Sequence, residues 1–289
     1  MPLRYLTILL LCFAFVLQAG QAPKPGDDKR SAETIAPGVE HLTIKRGDFS
    51  EEARGDRWTI HALIVDPKLA RLRLAQAMDE IAGAETTSSM AIRHGALAAI
   101  NGGYFRTTGV ARGEPVGAFS LGGKVLSEPV RNRAALAMLD DGKQARLAIA
   151  HFTMTAELRV EGKQTHPING INRPREKDEL ILFTPEFHRT TLTEADGIEL
   201  LVEKNRMTAM IDGVGSHAIP HDGFVISATG KARSWVQTNL RNGSRVEIKT
   251  EVKADPTLRF TPDFILGGGP QLIAASKTVF SAEADQIGR

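Results

Sequence analysis

An α+β fold, mainly antiparallel β-sheet with few short helices, is what this 289-residue chain predicts, and three observations predict it. Short apolar segments recur along it with turn residues between them. Several of those turns are Gly-Gly, Asp-Gly or Asn-Gly, dipeptides that supply the positive φ angles of tight hairpins. Stretches with a helical start and stop are few and short.

The N-terminus, MPLRYLTILLLCFAFVLQAGQA, has an early cation at Arg4, an apolar run from Tyr5 to Leu17, and small residues at Ala19, Gly20 and Ala22. That run is short for a membrane-crossing helix and has the layout of a secretory signal, so residues 1–22 are read as a signal peptide and the protein as secreted or periplasmic. Pro23 follows the best cleavage position, so an uncleaved N-terminal anchor is the alternative and the one expected route to a membrane. Cys12, the sole cysteine, lies inside this leader, which leaves the exported chain without a disulfide, a thiol nucleophile or a thiolate metal site. Residues 23–36 are rich in Pro, Gly and charge and read as a flexible tether. A single domain is expected over 37–289.

Within that domain, Arg57 to Val65 is β-rich, and Ala70 to Ala75 alternates Arg71 and Arg73 with Leu72 and Leu74, as a strand with one wet face would. A helix is expected from Thr87 or Ser88 as N-cap to Gly95 as stop. A small buried strand should follow from Ala96 to Ile100, ending in Asn101-Gly102-Gly103. Hairpins are expected around Gly122-Gly123, Asp141-Gly142 and Asn242-Gly243.

Composition removes some functions. With 36 basic against 34 acidic residues, well mixed, no stripe of one sign offers itself to nucleic acid. With 42% hydrophobic residues the chain is globular rather than disordered.

Three stretches carry candidate chemistry. In AINGGYF, Asn101, Gly102 and Gly103 read as a turn, a close backbone approach or a binding site. In PINGINRPREKDELILFTPEF, Pro174 stiffens the loop that presents Arg173 and Arg175, a pair suited to an anion through bidentate hydrogen bonds; surface pairing of Arg175 with Asp178 or Glu179 is the alternative. In DFILGGGP, three glycines could aim backbone N–H groups into an anion-binding nest or simply close a strand. Glu114, Glu199, Asp212, Asp222 and Asp263 are scattered acids beside turns or within apolar segments. His217 and His221 straddle Pro220, which argues against a zinc site on one helical face. No Gly-x-Ser-x-Gly elbow is present.

Taken together and in order, AINGGYF, EPVG, NGINRPR with LFTPEF, TTLTEADGIEL, IPHDGFVISATG and DFILGGGP resemble the phosphodiester glycosidase family, over roughly Ile81 to Arg289. Members of that family include an enzyme that removes N-acetylglucosamine from a phosphodiester. The resemblance implies an α+β domain with a cleft lined by these motifs. In it Asn101, Gly102 and Gly103 would form one wall, Asn172 and Arg175 would hold the phosphate or sugar hydroxyls, Glu199 and Asp222 would be the catalytic carboxylates, and Gly267, Gly268 and Gly269 the backbone floor. Family members continue past GGGP into further motifs that this sequence does not show, so the resemblance implies a C-terminally incomplete domain. The expected substrate is a sugar phosphodiester or an envelope polysaccharide, with a non-catalytic phosphoglycan-binding module as the alternative. No ligand spacing selects a metal, although a divalent cation is compatible with the scattered acids and asparagines.

Overall fold

The computed structural model describes residues 28–47, 49, 57–142 and 145–279. The leader expected over 1–22 lies outside them. Two compact units divide the chain between Ala70 and Arg71.

The first unit is a three-stranded antiparallel sheet, β1 (Lys29–Ala36), β2 (Val39–Arg46) and β3 (Trp58–Val65), in the order β1-β2-β3. Gly38, at φ 76°, makes the turn between β1 and β2. β1 replaces the second half of the expected tether, and a folded unit ends at Ala70 where a single domain from 37 was expected. The physical reason is that β1 is an edge strand. Its exposed charges, which read as a tether, are what a solvated sheet edge tolerates, and Asp28 anchors its start by taking two hydrogen bonds from Arg46, each 2.8 Å.

The second unit carries the motifs. Its first α-helix is α1 (Thr87–Arg93), capped by the Thr86 hydroxyl, which accepts from Ser89 N, and stopped at Gly95 with φ 60°. The hairpin β4 (Phe119–Leu121) and β5 (Lys124–Ser127) turns on Gly122 and Gly123, both at positive φ as the dipeptide requires. Then come β6 (Ala134–Asp140), β7 (Ala145–Val160), β8 (Gln164–Pro167), β9 (Gly170–Ile171), β10 (Leu180–Phe183), β11 (Ile198–Glu203), β12 (Arg206–Asp212) and β13 (Gly223–Ala228). The unit continues with α2 (Gly230–Asn239), β14 (Val246–Asp255), β15 (Phe264–Gly267), β16 (Ile273–Ala274) and β17 (Lys277–Thr278).

Two sheets dominate. One runs β12-β11-β13-β10-β9, antiparallel except for the β10–β9 pair; the other runs β14-β7-β6-β15-β4-β5, with β8 on β7. The architecture is therefore mostly antiparallel sheet with two α-helices among the described residues. Alternation along the strands gives the five-stranded sheet two apolar faces. Leu180, Leu182, Ile198, Leu200, Val202, Ile226 and Ala228 pack with Leu158 and Val160 of β7, Val246 of β14, and Ala232 and Val236 of α2. The opposite face, with Ile181, Phe183 and Val225, packs against Phe119, Leu126 and Phe187.

Three local expectations fail for identifiable reasons. Residues 70–75 form no ladder, because Arg73 and Arg71 reach the Asp140 carboxylate (2.9 Å) and the Gly142 carbonyl (3.0 Å) instead. Asn242-Gly243 turns helix α2 into β14 rather than joining two strands. Residues 96–100 pair with no strand and stand mostly exposed, against the expected buried strand.

Candidate functional site

The register places the chemistry. Glu199 of β11 lies opposite Ser227 of β13, and Ser227 lies opposite Ile181 of β10. Cross-strand partners share a face, so the two polar side chains end the row that Ile181, Phe183, Val225 and Leu201 make apolar. A carboxylate and a hydroxyl are thus built into the edge of a core.

Glu199 is fully buried and fully engaged. Its Oε1 accepts from the Thr193 hydroxyl at 2.8 Å; its Oε2 accepts from the His217 backbone N–H at 3.1 Å and faces His217 Nδ1 at 2.7 Å. Hydroxyls extend the network, with Thr191 against Thr193 at 3.1 Å and Ser216 against Thr190 at 3.1 Å. A carboxylate on Nδ1 fixes the imidazole tautomer and directs the other ring nitrogen outward. The His217 side chain is 21% exposed, and among the described residues Nε2 has no hydrogen-bond partner. So Glu199, expected to meet substrate, is walled off, and the group it orients is the one that faces water.

Arg175 approaches from the loop after Pro174. Its guanidinium donates to the Ser227 hydroxyl and the Asp196 carboxylate, and to the Glu194 carbonyl at 2.7 Å. Gly197 makes this approach possible, since a Cβ there would stand 2.6 Å from Arg175 Cζ. The side chain is 5% exposed while Asp196 is 68% exposed, so a surface carboxylate covers a buried cation. Nε is buried with no partner among the described residues. The alternative pairing with Asp178 or Glu179 does not occur. Glu179 instead takes both terminal nitrogens of Arg173, at 2.7 and 2.8 Å, while Glu128 takes its Nε at 2.6 Å. Burial opposes the Arg173 charge, but the two glutamates override it and hold its pKa above the ordinary value.

Asp222 is elsewhere. Gly223, its neighbour, lies opposite Glu203, and Ser227 lies opposite Glu199, so the two carboxylates sit at opposite ends of β11 and β13. Four residues of strand separate those levels by about 13 Å, whereas paired glycosidase carboxylates stand about 5 to 9.5 Å apart. Glu199 and Asp222 are not such a pair. Asp222 is 83% exposed, meets His221 Nδ1 at 2.9 Å, and lines an open cleft of about 450 Å³ with Lys124, Glu186, Lys204, Asn205 and Phe224. Burial pushes the Glu186 carboxyl up, but Lys124 at 2.7 Å and the Thr184 hydroxyl outweigh it and keep the group below the usual carboxylate range.

Asn172 is buried and structural. Its amide nitrogen donates to the Leu126 carbonyl (3.1 Å) and the Thr184 hydroxyl (3.0 Å), and its oxygen accepts from Thr184 N (2.8 Å). Its φ of 55° suits asparagine, and both amide hydrogens are used, so the expected ligand contact has no donor left.

The glycine motifs meet each other. A Cβ on Gly103 would stand 2.2 Å from the Gly267 carbonyl oxygen, and one on Gly102 3.1 Å from Leu266. Gly103 is therefore needed for backbone to pack on backbone, and Gly102 leaves room for the Leu266 side chain. Gly267 N donates to Ala118 O at 2.6 Å and Gly268 N to Ala134 O at 2.9 Å, so these donors belong to the sheet rather than to an anion nest. Gly269 accepts from Ala134 N at 3.2 Å and neighbours Tyr104, over whose ring Arg133 lies at 4.7 Å. The Asn101 amide oxygen accepts from the Thr87 hydroxyl at 2.5 Å. Of the scattered acids, buried Glu114 takes Arg106 at 2.8 Å and Asp212 takes Arg233 at 2.7 Å. Among the described residues no three His, Cys, Asp or Glu side chains stand together as metal ligands would.

Sequence order had set Glu199 and Arg175 apart and His217 beside His221. No motif marks Ser227, Thr193 or Asp196, although the density of hydroxyl and acidic residues in TTLTEAD is a usable signal.

No protein-family model and no curated protein matches the chain. Among solved structures, the fold is similar to that of a putative exported protein from Burkholderia pseudomallei K96243. The TM-score is 0.73 at 18% identity, over 88% of this chain and 74% of that one. It is also similar to a hypothetical protein from Synechocystis, with TM-score 0.70 at 19% identity, over 90% of this chain and 47% of that one. The likeness is one of fold. No helix among the described residues is long and apolar enough to cross a membrane.

Proposed function

We propose that the protein is an exported hydrolase of a sugar phosphodiester, with His217 as the acid–base group and Arg175 as the phosphate holder. The observation that carries this reading is the buried Glu199 carboxylate 2.7 Å from His217 Nδ1, on the strand position directly opposite Ser227, which holds Arg175. Hydrolysis at the anomeric carbon needs water to lose a proton while the C–O bond to phosphate breaks. His217 Nε2 can take that proton, and Glu199 stabilises the imidazolium formed. A phosphate monoester leaves as a stable anion, its second pKa near 6, so departure needs no strong general acid. One acid–base group and one cation therefore suffice, which fits a site with no close carboxylate pair. Asp196 stands on the guanidinium where a phosphate oxygen would bind, and its exposure lets substrate displace it. The N-terminal leader motif supports export.

The test is release of free N-acetylglucosamine from an N-acetylglucosamine phosphodiester by the purified full chain, beside His217→Asn and Arg175→Lys. The expected result is turnover that falls by at least about 100-fold in His217→Asn, the usual scale for a lost acid–base group, with a raised KM in Arg175→Lys. Turnover unchanged in both variants removes the proposed roles. A binding-only module is the second reading, favoured by the separation of Glu199 from Asp222. It predicts saturable binding of the diester with no free sugar.

A further inference from the structure

The three-stranded sheet of the first unit carries a side-chain pair that the proposed hydrolysis does not use. On β2 and β3, His41 lies opposite Leu63 and His61 opposite Thr43, so alternation puts both imidazoles on one face as diagonal neighbours. His41 Nε2 stands 3.0 Å from His61 Nδ1, while the ring centroids are 5.2 Å apart with 19° between the planes. The nitrogens are nearer than the ring centres, so the rings meet edge to edge with those two nitrogens turned to one another. His61 is exposed and His41 half-buried, which leaves the pair within reach of an ion from solvent.

We propose that His41 and His61 form a binding site for a divalent transition-metal ion of the zinc class, which takes the position of the hydrogen they share. Zn–N bonds of about 2.0–2.1 Å at a tetrahedral angle set two ligand nitrogens roughly 3.3–3.4 Å apart. The pair therefore has to open by only about 0.4 Å. Each ring binds in its neutral form. With the proton on Nδ1 of His41 and on Nε2 of His61, both facing nitrogens present lone pairs. Imidazole selects zinc, copper or nickel over magnesium and calcium, which prefer oxygen. Exposed Glu33 stands opposite His41 on β1 and adds negative charge beside the ion, and Thr43 Oγ1 lies 3.5 Å from His61 Nδ1. Lys45, one level beyond His61 on this face, lies over the Phe49 ring at 5.7 Å. Water completes the shell, since no third His, Cys, Asp or Glu stands in ligand position among the described residues. Bound there, the ion ties β2 to β3 and stabilises the first unit by mass action.

Calorimetric titration of the full chain with Zn2+ tests this, beside His41→Ala, His61→Ala and, as a control, His221→Ala. The proposal expects one ion per chain at a dissociation constant of about 10 μM or tighter. Binding should be at least about tenfold weaker in either of the first two variants and unchanged in the control, with circular dichroism unchanged in all and no uptake of Mg2+. A second measurement needs no variant: trace Cu2+ should broaden the ring NMR signals of His41 and His61 before those of the other histidines. No Zn2+ uptake, uptake indifferent to both variants, or even broadening of all eight histidines, the mark of an adventitious ion only, would each overturn it.

Discussion

Gly197→Ala isolates the link between the five-stranded sheet and Arg175. The new Cβ would lie 2.6 Å from the Ala228 carbonyl oxygen and 2.6 and 2.8 Å from Cζ and Nη2 of Arg175. Ala228 is held in register opposite both Leu180 and Ile198, so the guanidinium is the side that must yield. Overpacking costs about 1–3 kcal/mol. Displacement also weakens the bonds from Arg175 to Ser227, the Glu194 carbonyl and Asp196. The Asp196 share is small because that carboxylate is largely in water. A loss of about 2–4 kcal/mol follows, equivalent to a fall in Tm of about 4–16 °C for a unit of this size. Urea unfolding measures it, with Gly268→Ala as control, since a Cβ there meets its nearest neighbour at an ordinary 3.4 Å. In the Arg175→Ala background the share of the cost due to the guanidinium should vanish, while the contact with the Ala228 carbonyl remains. A Gly197→Ala protein within about 0.5 kcal/mol of the parent, or a cost undiminished without Arg175, would refute the placement of the guanidinium.

Three further outcomes follow from the same geometry. Asn172→Ala should destabilise by about 2–4 kcal/mol in urea melts, since it orphans the Thr184 N–H and the Leu126 carbonyl and puts alanine at positive φ. Asp222→Asn should leave turnover of the phosphodiester within about twofold, because Asp222 lies beyond Gly223, whose level is already roughly 13 Å along the strands from Glu199; a loss of turnover would return it to the site. Arg93, then the Met78 N–H and the Ser89 hydroxyl, lower the Glu85 pKa from 4.5 to about 2. A depressed carboxylate stabilises the folded state above its unfolded pKa, so α1 should keep this support above about pH 4.5 and lose it as pH falls towards 2. Hydrogen exchange across α1 checks the window, and Glu85→Gln should flatten it.

Much of the fold was legible because local chemistry and tertiary structure agreed. Gly122-Gly123 turns a hairpin, Asp141-Gly142 lies between paired strands, and Gly95 stops α1. Failures came where one local signal serves two structures. Gly243 supplies positive φ equally well after a helix as between strands, and α2 was hidden because its buried stripe is as thin as Ala232 and Val236. The apolar run at 96–100 has strand composition, but a strand exists only where another chain segment offers its backbone.

The site was harder to read for a related reason. Asparagine, glycine and arginine are the residues that ligands require, and they are also the residues that a buried irregular backbone requires. Asn172 satisfies Thr184 and Leu126, Gly103 admits the Gly267 backbone, and Arg173 neutralises two glutamates. What separates the two uses is a residual valence once the protein's own demands are met. Asn172 has no amide hydrogen left over, and Glu199 no exposed oxygen. His217 keeps Nε2 without a hydrogen-bond partner among the described residues, and Arg175 is covered by a carboxylate that is itself largely exposed. That leftover capacity depends on which strands lie side by side, and it is why the proposed acid–base role falls to His217 and not to the Glu199 that holds it.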